Sequence, residues 1–323
     1  MRIMAGQGIG DVVWALFKVQ DYARKHGGGP IDFLIGGNGN SKSDRALAYI
    51  RRFKFLNSVN LYHIPKTRGQ VSCMIRPGRL TTPEGYYRYI PDGPVTPNYP
   101  IKLPGVDHVL MPNAALERGI RLENWLPKYE IDWHIHRQFQ FTNEERAAAT
   151  EMRKTAGDYA LLYPGPERGN TYMGMNRGAM WTPEHWVELA DRLHRERGIK
   201  SVFAGAAYDA SYYEKYLEPL RCGRDFWINR IGAYEFNTTL AVALQSRFLV
   251  GHASGLPIAA HYAGVRVATW WRPYGNSLDP KFHISFDEKM ATAWTLPGTG
   301  RNFIANIYGR CSPESVTRQL RDW

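Results

Sequence analysis

Three stretches of this 323-residue chain combine residue types that could do chemistry. The first is Gly6-Gln7-Gly8-Ile9-Gly10-Asp11, a glycine-rich turn between a short strand and a helix. A turn of this kind lets backbone N–H groups approach an anion at a helix start. A carboxylate there, Asp11, can take a proton from a hydroxyl nucleophile. Taken alone, Asp11 reads better as a helix-start acid stabilised by the helix dipole. As a dinucleotide fingerprint the turn fails twice. Asp11 stands where the last glycine belongs, and the second strand ends in glycines and Asn38 instead of a ribose-holding acid.

The second stretch is Val250-Gly251-His252-Ala253-Ser254-Gly255-Leu256-Pro257-Ile258-Ala259-Ala260. It reads as strand, small-residue turn and apolar helix. Ser254, Gly255 and Leu256, with His252 before them, would present amides and a hydroxyl to a diphosphate, helped by the dipole. An ordinary tight βα turn is the other reading. The third stretch, Pro164–Trp181, is a long Gly- and Asn-rich loop holding Gly165, Arg168 and Arg177. Its arginines suit phosphate clamping, and a plain surface loop explains it as well.

The elements that must position these residues form two β/α series. In the first, Arg2–Ala5 is a strand and Asp11–His26 a helix with apolar residues at helical spacing. Strands at Ile31–Ile35 and Val59–Ile64 flank a basic helix, Ser43–Phe53. Residues 65–105 are Pro-, Gly- and Tyr-rich, and a stretch this long without structure of its own is usually a functional loop. Tyr129–Phe139 alternates like a strand, and Thr142-Asn-Glu-Glu145 is a capping box opening a helix to Ala156. The second series starts at Tyr159. Thr182-Pro183-Glu184 opens an amphipathic helix to Arg197, Ser201–Gly205 is a strand, and Asp209–Leu220 and Phe236–Ser246 are helices. Ser312-Pro313-Glu314 caps the last one. Two such series predict an α/β fold of two Rossmann-like α/β/α domains facing a central cleft. The expected boundaries are 1–156, 157–309, and a C-terminal helix at 310–323 packing back on the N-terminal domain.

Together the motifs resemble the heptosyltransferase-like family of GT-B glycosyltransferases. The resemblance runs through Ile9-Gly10-Asp11-Val12, Trp181-Thr-Pro-Glu-His-Trp186, Val202-Phe-Ala-Gly205 and Leu249–Gly264, in order and over nearly the whole chain. It implies an acceptor site on the N-terminal domain and a nucleotide-sugar site on the C-terminal one. It also implies an inverting, metal-independent transfer with Asp11 as the base. Three positions depart from the family's pattern. Ala253 stands for an acid, Ile258 for a histidine, and Gly178-Ala179-Met180 lacks a lysine. Those positions touch donor phosphate or sugar in the family, so ADP-heptose is not implied.

Composition bounds the rest. No run approaches the roughly 18 apolar residues of a membrane span, and the start of the chain does not read as a signal peptide. Cys73, Cys222 and Cys311 are too scattered for a disulfide framework or a four-cysteine zinc site. A cytoplasmic protein is expected, free or peripheral at the inner face of the membrane. His134 and His136 would share one face of a strand but lack a third ligand, and no Asp-x-Asp occurs. No metal and no cofactor are expected, the nucleotide sugar being a co-substrate.

The net charge is +11, and residues 40–102 alone carry 11 basic against three acidic residues. Arg45, Arg51, Arg52, Lys66, Arg68, Arg76 and Arg79 are the candidates there for holding an anionic acceptor. A lipopolysaccharide-type glycan is one acceptor. The other is DNA, with a sugar placed on a hydroxylated base as phage-type enzymes do, and Tyr86, Tyr87 and Tyr89 stacking on it. A non-catalytic nucleotide- or NAD-binding protein is the remaining alternative.

Overall fold

The computed structural model describes residues 1–6, 8–36, 41–62, 79–81, 87–89, 105–110, 122–164, 181–252, 254–271, 303–307 and 311–323. The chain divides into two units, Met1–Gln140 and Phe141–Ala291 with Thr295–Trp323.

In unit 1, strands β1 (Arg2–Ala5), β2 (Ile31–Gly36), β3 (Leu56–Tyr62) and β6 (His108–Val109) form a parallel sheet in the order β3-β2-β1-β6. Between β3 and β6 a two-stranded antiparallel ribbon joins β4 (Arg79–Thr81) to β5 (Tyr87–Tyr89). Helix α1 (Ile9–Lys25) follows β1, and α2 (Ser41–Ile50) follows β2. Every residue of α1 from Val12 to Val19 is buried, including Lys18 at 1% exposure. A helix with only the sheet to pack on would keep one wet face. Here residues 122–133 cover the other side. Asp132 N–H reaches Phe17 O (2.8 Å), Lys25 Nζ reaches Lys128 O (2.6 Å), and Lys18 Nζ reaches the carbonyls of Trp125 and Leu126.

Unit 2 holds a six-stranded parallel sheet of β7 (Tyr159–Tyr163), β8 (Lys200–Gly205), β9 (Trp227–Ile231), β10 (Phe248–His252), β11 (Val267–Trp271) and β12 (Phe303–Ile307). Its order, β9-β8-β7-β10-β11-β12, is 3-2-1-4-5-6 counted from the unit's first strand, which is the Rossmann order. Unit 1 repeats the first four places of that order. The helices of unit 2 are α3 (Asn143–Ala156), α4 (Pro183–Arg197), α5 (Phe236–Gln245), α6 (Gly255–Tyr262) and α7 (Pro313–Gln319). The expected capping box at Thr142 and Glu145 is present, with bonds of 3.2 and 2.7 Å.

Several expectations need correction. Helix α3 packs on α5, so the units part at 140/141 and not at 156/157. Helix α7, expected to pack back on the N-terminal domain, packs on α4 and belongs to unit 2. Its grip is polar as well as apolar. Arg197 donates to Leu320 O (2.7 Å) and Trp323 O (2.5 Å), Arg247 donates to Trp323 O (2.7 Å), and the Trp323 ring lies against Phe248.

Tyr129–Phe139 is not a strand. It folds along α1 and ends in a 3-10 turn at Ile135–Gln138, so His134 and His136 share no strand face. The alternation there comes from Trp133 packing on Phe17 and from Ile135 turning inward. Residues 207–220 do not form one helix but a chain of 3-10, α and π turns. Pro219 lacks an N–H and crowds the carbonyl four residues back, which disfavours a regular helix up to that point. Strands β9 and β12 were not legible from sequence.

Candidate functional site

In both sheets the strand order reverses beside the unit's first strand, between β1 and β6 and between β7 and β10. Open α/β sheets bind ligands outside the carboxyl ends of the strands at such a reversal. Two of the three chemistry-bearing stretches fall there, one in each unit.

In unit 1, β1 runs through Gly8 into α1. Gly8 is the N-cap in extended backbone (φ −80°), and its carbonyl accepts Val12 N–H at 3.0 Å. The amides of Ile9, Gly10 and Asp11 therefore begin the helix without partners four residues back. Gly10 is the second helical residue and Asp11 the third, with their backbone at the carboxyl edge of the sheet. The Asp11 side chain lies outside the described residues.

In unit 2, β10 enters the turn at Gly251. A Cβ on Gly251 would lie 2.8 Å from both Cβ and O of Tyr163 on β7, so the two strands meet at the reversal only because this residue is glycine. His252 ends β10, and its ring stands edge-on to Trp186 at 5.7 Å. Ser254 is the N-cap of α6, Gly255 its first residue and Leu256 its second, the last 4% exposed. Pro257 comes third and brings no N–H. Ile258 N–H closes the first turn on Ser254 O at 3.2 Å. The open donors at this helix start are therefore Gly255 and Leu256. The Ser254 hydroxyl is buried and has no hydrogen-bond partner among the described residues, nor does it cap its helix. A hydroxyl left so costs about 1–3 kcal/mol, a cost an arriving oxygen ligand removes.

Beneath this turn lies an aromatic floor, built in part from Trp270, which the sequence offers either as a wall of the cleft or as core packing. Trp181, Trp186 and Trp270 pack with centroids 4.3–5.6 Å apart. Trp181 Nε1 donates to Cys311 O (3.1 Å) and Trp270 Nε1 to Cys311 Sγ (2.7 Å), which pins the residue just before α7 to the floor. Burial pushes the Cys311 thiol above its usual pKa. The Trp181–Trp186 spacing signals a buried aromatic pair at a helix start, while Trp270 and Cys311 join it only through tertiary packing. Thr182 caps α4 with an unusual partner, its N–H donating to His185 Nδ1 at 3.0 Å.

The remaining candidates are distributed differently. Gly165 and Arg177 lie outside the described residues, as do Lys66, Arg68 and Arg76. Arg79 begins β4, its backbone opposite Tyr89. Arg45 is half-buried on α2. Arg51 is exposed with its Nε held by Val59 O (3.1 Å), and Arg52 O accepts Gln140 N–H (3.0 Å). Among the described residues no three His, Cys, Asp or Glu come together as metal ligands, and no helix is long and apolar enough to cross a membrane.

No protein-family profile and no curated protein matches the sequence. Solved structures do. The E. coli ADP-heptose lipopolysaccharide heptosyltransferase II matches at 12% identity and TM-score 0.57, over 100% of this chain and 98% of that one. A glycosyltransferase family 9 protein of Veillonella parvula matches at 13% and 0.59, over 99% and 96%. The E. coli heptosyltransferase WaaC with ADP matches at 14% and 0.56, over 100% and 99%. The likeness is one of fold: the chain is GT-B, two Rossmann-like units in sequence.

Proposed function

We propose that this chain is a glycosyltransferase that moves a sugar from a nucleotide-diphosphate donor to a hydroxyl of an anionic acceptor. The observation that carries the reading is the turn at Gly251–Leu256. At the strand reversal of unit 2 it combines a buried Ser254 hydroxyl, without a hydrogen-bond partner among the described residues, with two open amides at the start of α6. Three donors at a helix start suit a diphosphate. The whole-length likeness to heptosyltransferases supports the same reading.

The transfer is a direct displacement with inversion. Asp11 accepts the proton of the acceptor hydroxyl as its oxygen bonds to the anomeric carbon. The bond from that carbon to the diphosphate breaks, and the leaving charge passes to Ser254, Gly255, Leu256 and Arg177, with Gly165 and His252 flanking. Positioning and charge stabilisation supply most of the rate, and no metal or further cofactor takes part. The acceptor is a cell-envelope glycan such as a lipopolysaccharide core, whose phosphates and acidic sugars suit the basic residues 40–102. The protein works in the cytoplasm, at the inner membrane face. The concentration of charge in that stretch also favours a second reading, DNA carrying a hydroxylated base as the acceptor.

The first test is a thermal-shift screen of nucleotide-diphosphate sugars and NAD(P). Stabilisation by nucleotide sugars is expected, and stabilisation by NAD(P) alone overturns the proposal. With the donor named, Asp11→Ala is expected to abolish transfer while keeping nucleotide-diphosphate affinity within a fewfold. Wild-type transfer by that variant removes Asp11 as the base.

A further inference from the structure

At the amino edge of the unit 1 sheet, opposite the Gly8–Asp11 turn, two histidines meet. His26 caps the end of α1, and His108 is the first residue of β6. Their ring centroids are 5.0 Å apart with planes at 55°. Each imidazole is held by one nitrogen and by a tyrosine. The Tyr22 hydroxyl lies 2.9 Å from His108 Nδ1, and the Tyr129 hydroxyl lies 2.8 Å from His26 Nε2. The other two nitrogens, His26 Nδ1 and His108 Nε2, carry no hydrogen bond to the described residues. Tyr22 also stacks on His26 at 4.4 Å, so both rings are fixed in place.

This spacing fits a shared ion. A metal–nitrogen bond of about 2.0–2.1 Å places the metal roughly 3.2 Å from an imidazole centre, and a tetrahedral angle then separates two centres by about 5.2 Å. Metal-bound histidines also characteristically pass their second nitrogen to an oxygen partner that fixes the ring. Both histidines here have such a partner in place. We propose that His26 and His108 form a binding site for one borderline divalent cation, of the Zn2+, Ni2+ or Cu2+ class. Neutral imidazoles select those ions over Ca2+ and Mg2+. Among the described residues no third His, Cys, Asp or Glu joins, so water completes the coordination.

The surroundings are compatible. Lys25 is paired with Asp21 (2.8 Å), while the N-terminal ammonium, bonded to Pro30 O (2.8 Å), places one positive charge near His108. Asp107 adds a negative charge beside His108. The bound ion would cross-link the end of α1 to the start of β6 and is independent of the proposed transfer chemistry.

The test is calorimetric titration of the chelator-treated full chain with ZnCl2, alongside Cu2+ electron paramagnetic resonance. One equivalent of Zn2+ is expected, with coupling to two nitrogens in the Cu2+ spectrum. Tyr129→Phe is expected to weaken binding roughly tenfold through the lost ring partner, while His134→Gln leaves it unchanged. The double variant His26→Gln/His108→Gln, checked by circular dichroism for a native spectrum, is expected to lose the site. Absence of a one-equivalent phase in the wild type, its retention in the double variant, or equal binding of MgCl2 overturns the proposal.

Discussion

At the scale of single residues, Ser254 separates binding from stability. Its hydroxyl makes no bond to the described protein and no cap bond to α6, so removing it takes nothing from the fold. Ser254→Ala is therefore expected to leave the denaturant midpoint unchanged or slightly raised, and to weaken nucleotide-diphosphate affinity roughly tenfold, the worth of one hydrogen bond to a charged group. A variant that loses stability and keeps affinity contradicts the role. Gly251 behaves in the opposite way. A methyl there strikes Tyr163 Cβ and O at 2.8 Å, and overpacking of this kind costs about 1–3 kcal/mol. Gly251→Ala is expected to lower the urea midpoint, and adding Tyr163→Ala to restore it only in part, since the carbonyl stays. Ser254 and Gly255 were legible in sequence because a strand, a small-residue turn and an apolar helix are local signals. The need for glycine at 251 was less so, because it arises from β7 lying beside β10, which no local pattern states.

At the scale of elements, α1 is the instructive case. Its apolar spacing forecast a helix packed on one side, and the structure buries it all round under residues 122–133. The part of that cover from Tyr129 on was misread as the start of a strand, because its fastening is by polar contacts, which hydrophobic periodicity does not register. Lys18 and Asp21 do the fastening, and their titrations differ in sign. Burial lowers the Lys18 ammonium from 10.5 to about 8 against the pull of Glu123 and Asp21. An unfolded chain then holds a proton there that the folded one releases, so stability attributable to Lys18 rises between about pH 8 and pH 10.5. Burial pushes the Asp21 carboxyl up, but Lys25, the Glu130 N–H and Arg24 together hold it lower, at about 2. Its contribution is present above about pH 4 and is lost as pH falls from there toward 2. Guanidinium unfolding across pH should show both. The difference between wild type and Lys18→Met should change only in the alkaline window, and that between wild type and Asp21→Asn only in the acid one. A flat difference in either window removes that residue from the account.

For the whole molecule, the two-unit division and the concentration of charge make separate demands. The Rossmann order of unit 2 was legible as a β/α series, although β9 and β12 were missed. Both lie at the edges of the sheet, and polar residues, Asn229 and Arg230 in β9 and Asn306 in β12, interrupt their apolar runs. If unit 2 alone holds the donor, a nucleoside diphosphate at a hundredfold its Kd should stabilise that unit by about 2.7 kcal/mol and leave unit 1 unmoved. Calorimetry combined with intrinsic fluorescence, to which Trp181, Trp186, Trp227, Trp270 and Trp323 contribute in unit 2, would show the selective shift, and equal shifts of both units would contradict the assignment. Charge decides the acceptor. The excess in residues 40–102 belongs to unit 1, and under the proposed division of roles it bears on the acceptor and not on the donor. A polynucleotide track neutralising six or more phosphates loses about a thousandfold or more in affinity between 50 and 200 mM salt, because each contact releases counterions. A glycan with a few phosphates has few such ions to release and loses far less. Binding of duplex DNA and of a phosphorylated core oligosaccharide, each followed across that salt range, is therefore expected to show the glycan bound at both ends and DNA only weakly. Steep, tight DNA binding with sugar transfer to a hydroxylated base would reverse the order of the two acceptors while leaving the donor side of the mechanism intact.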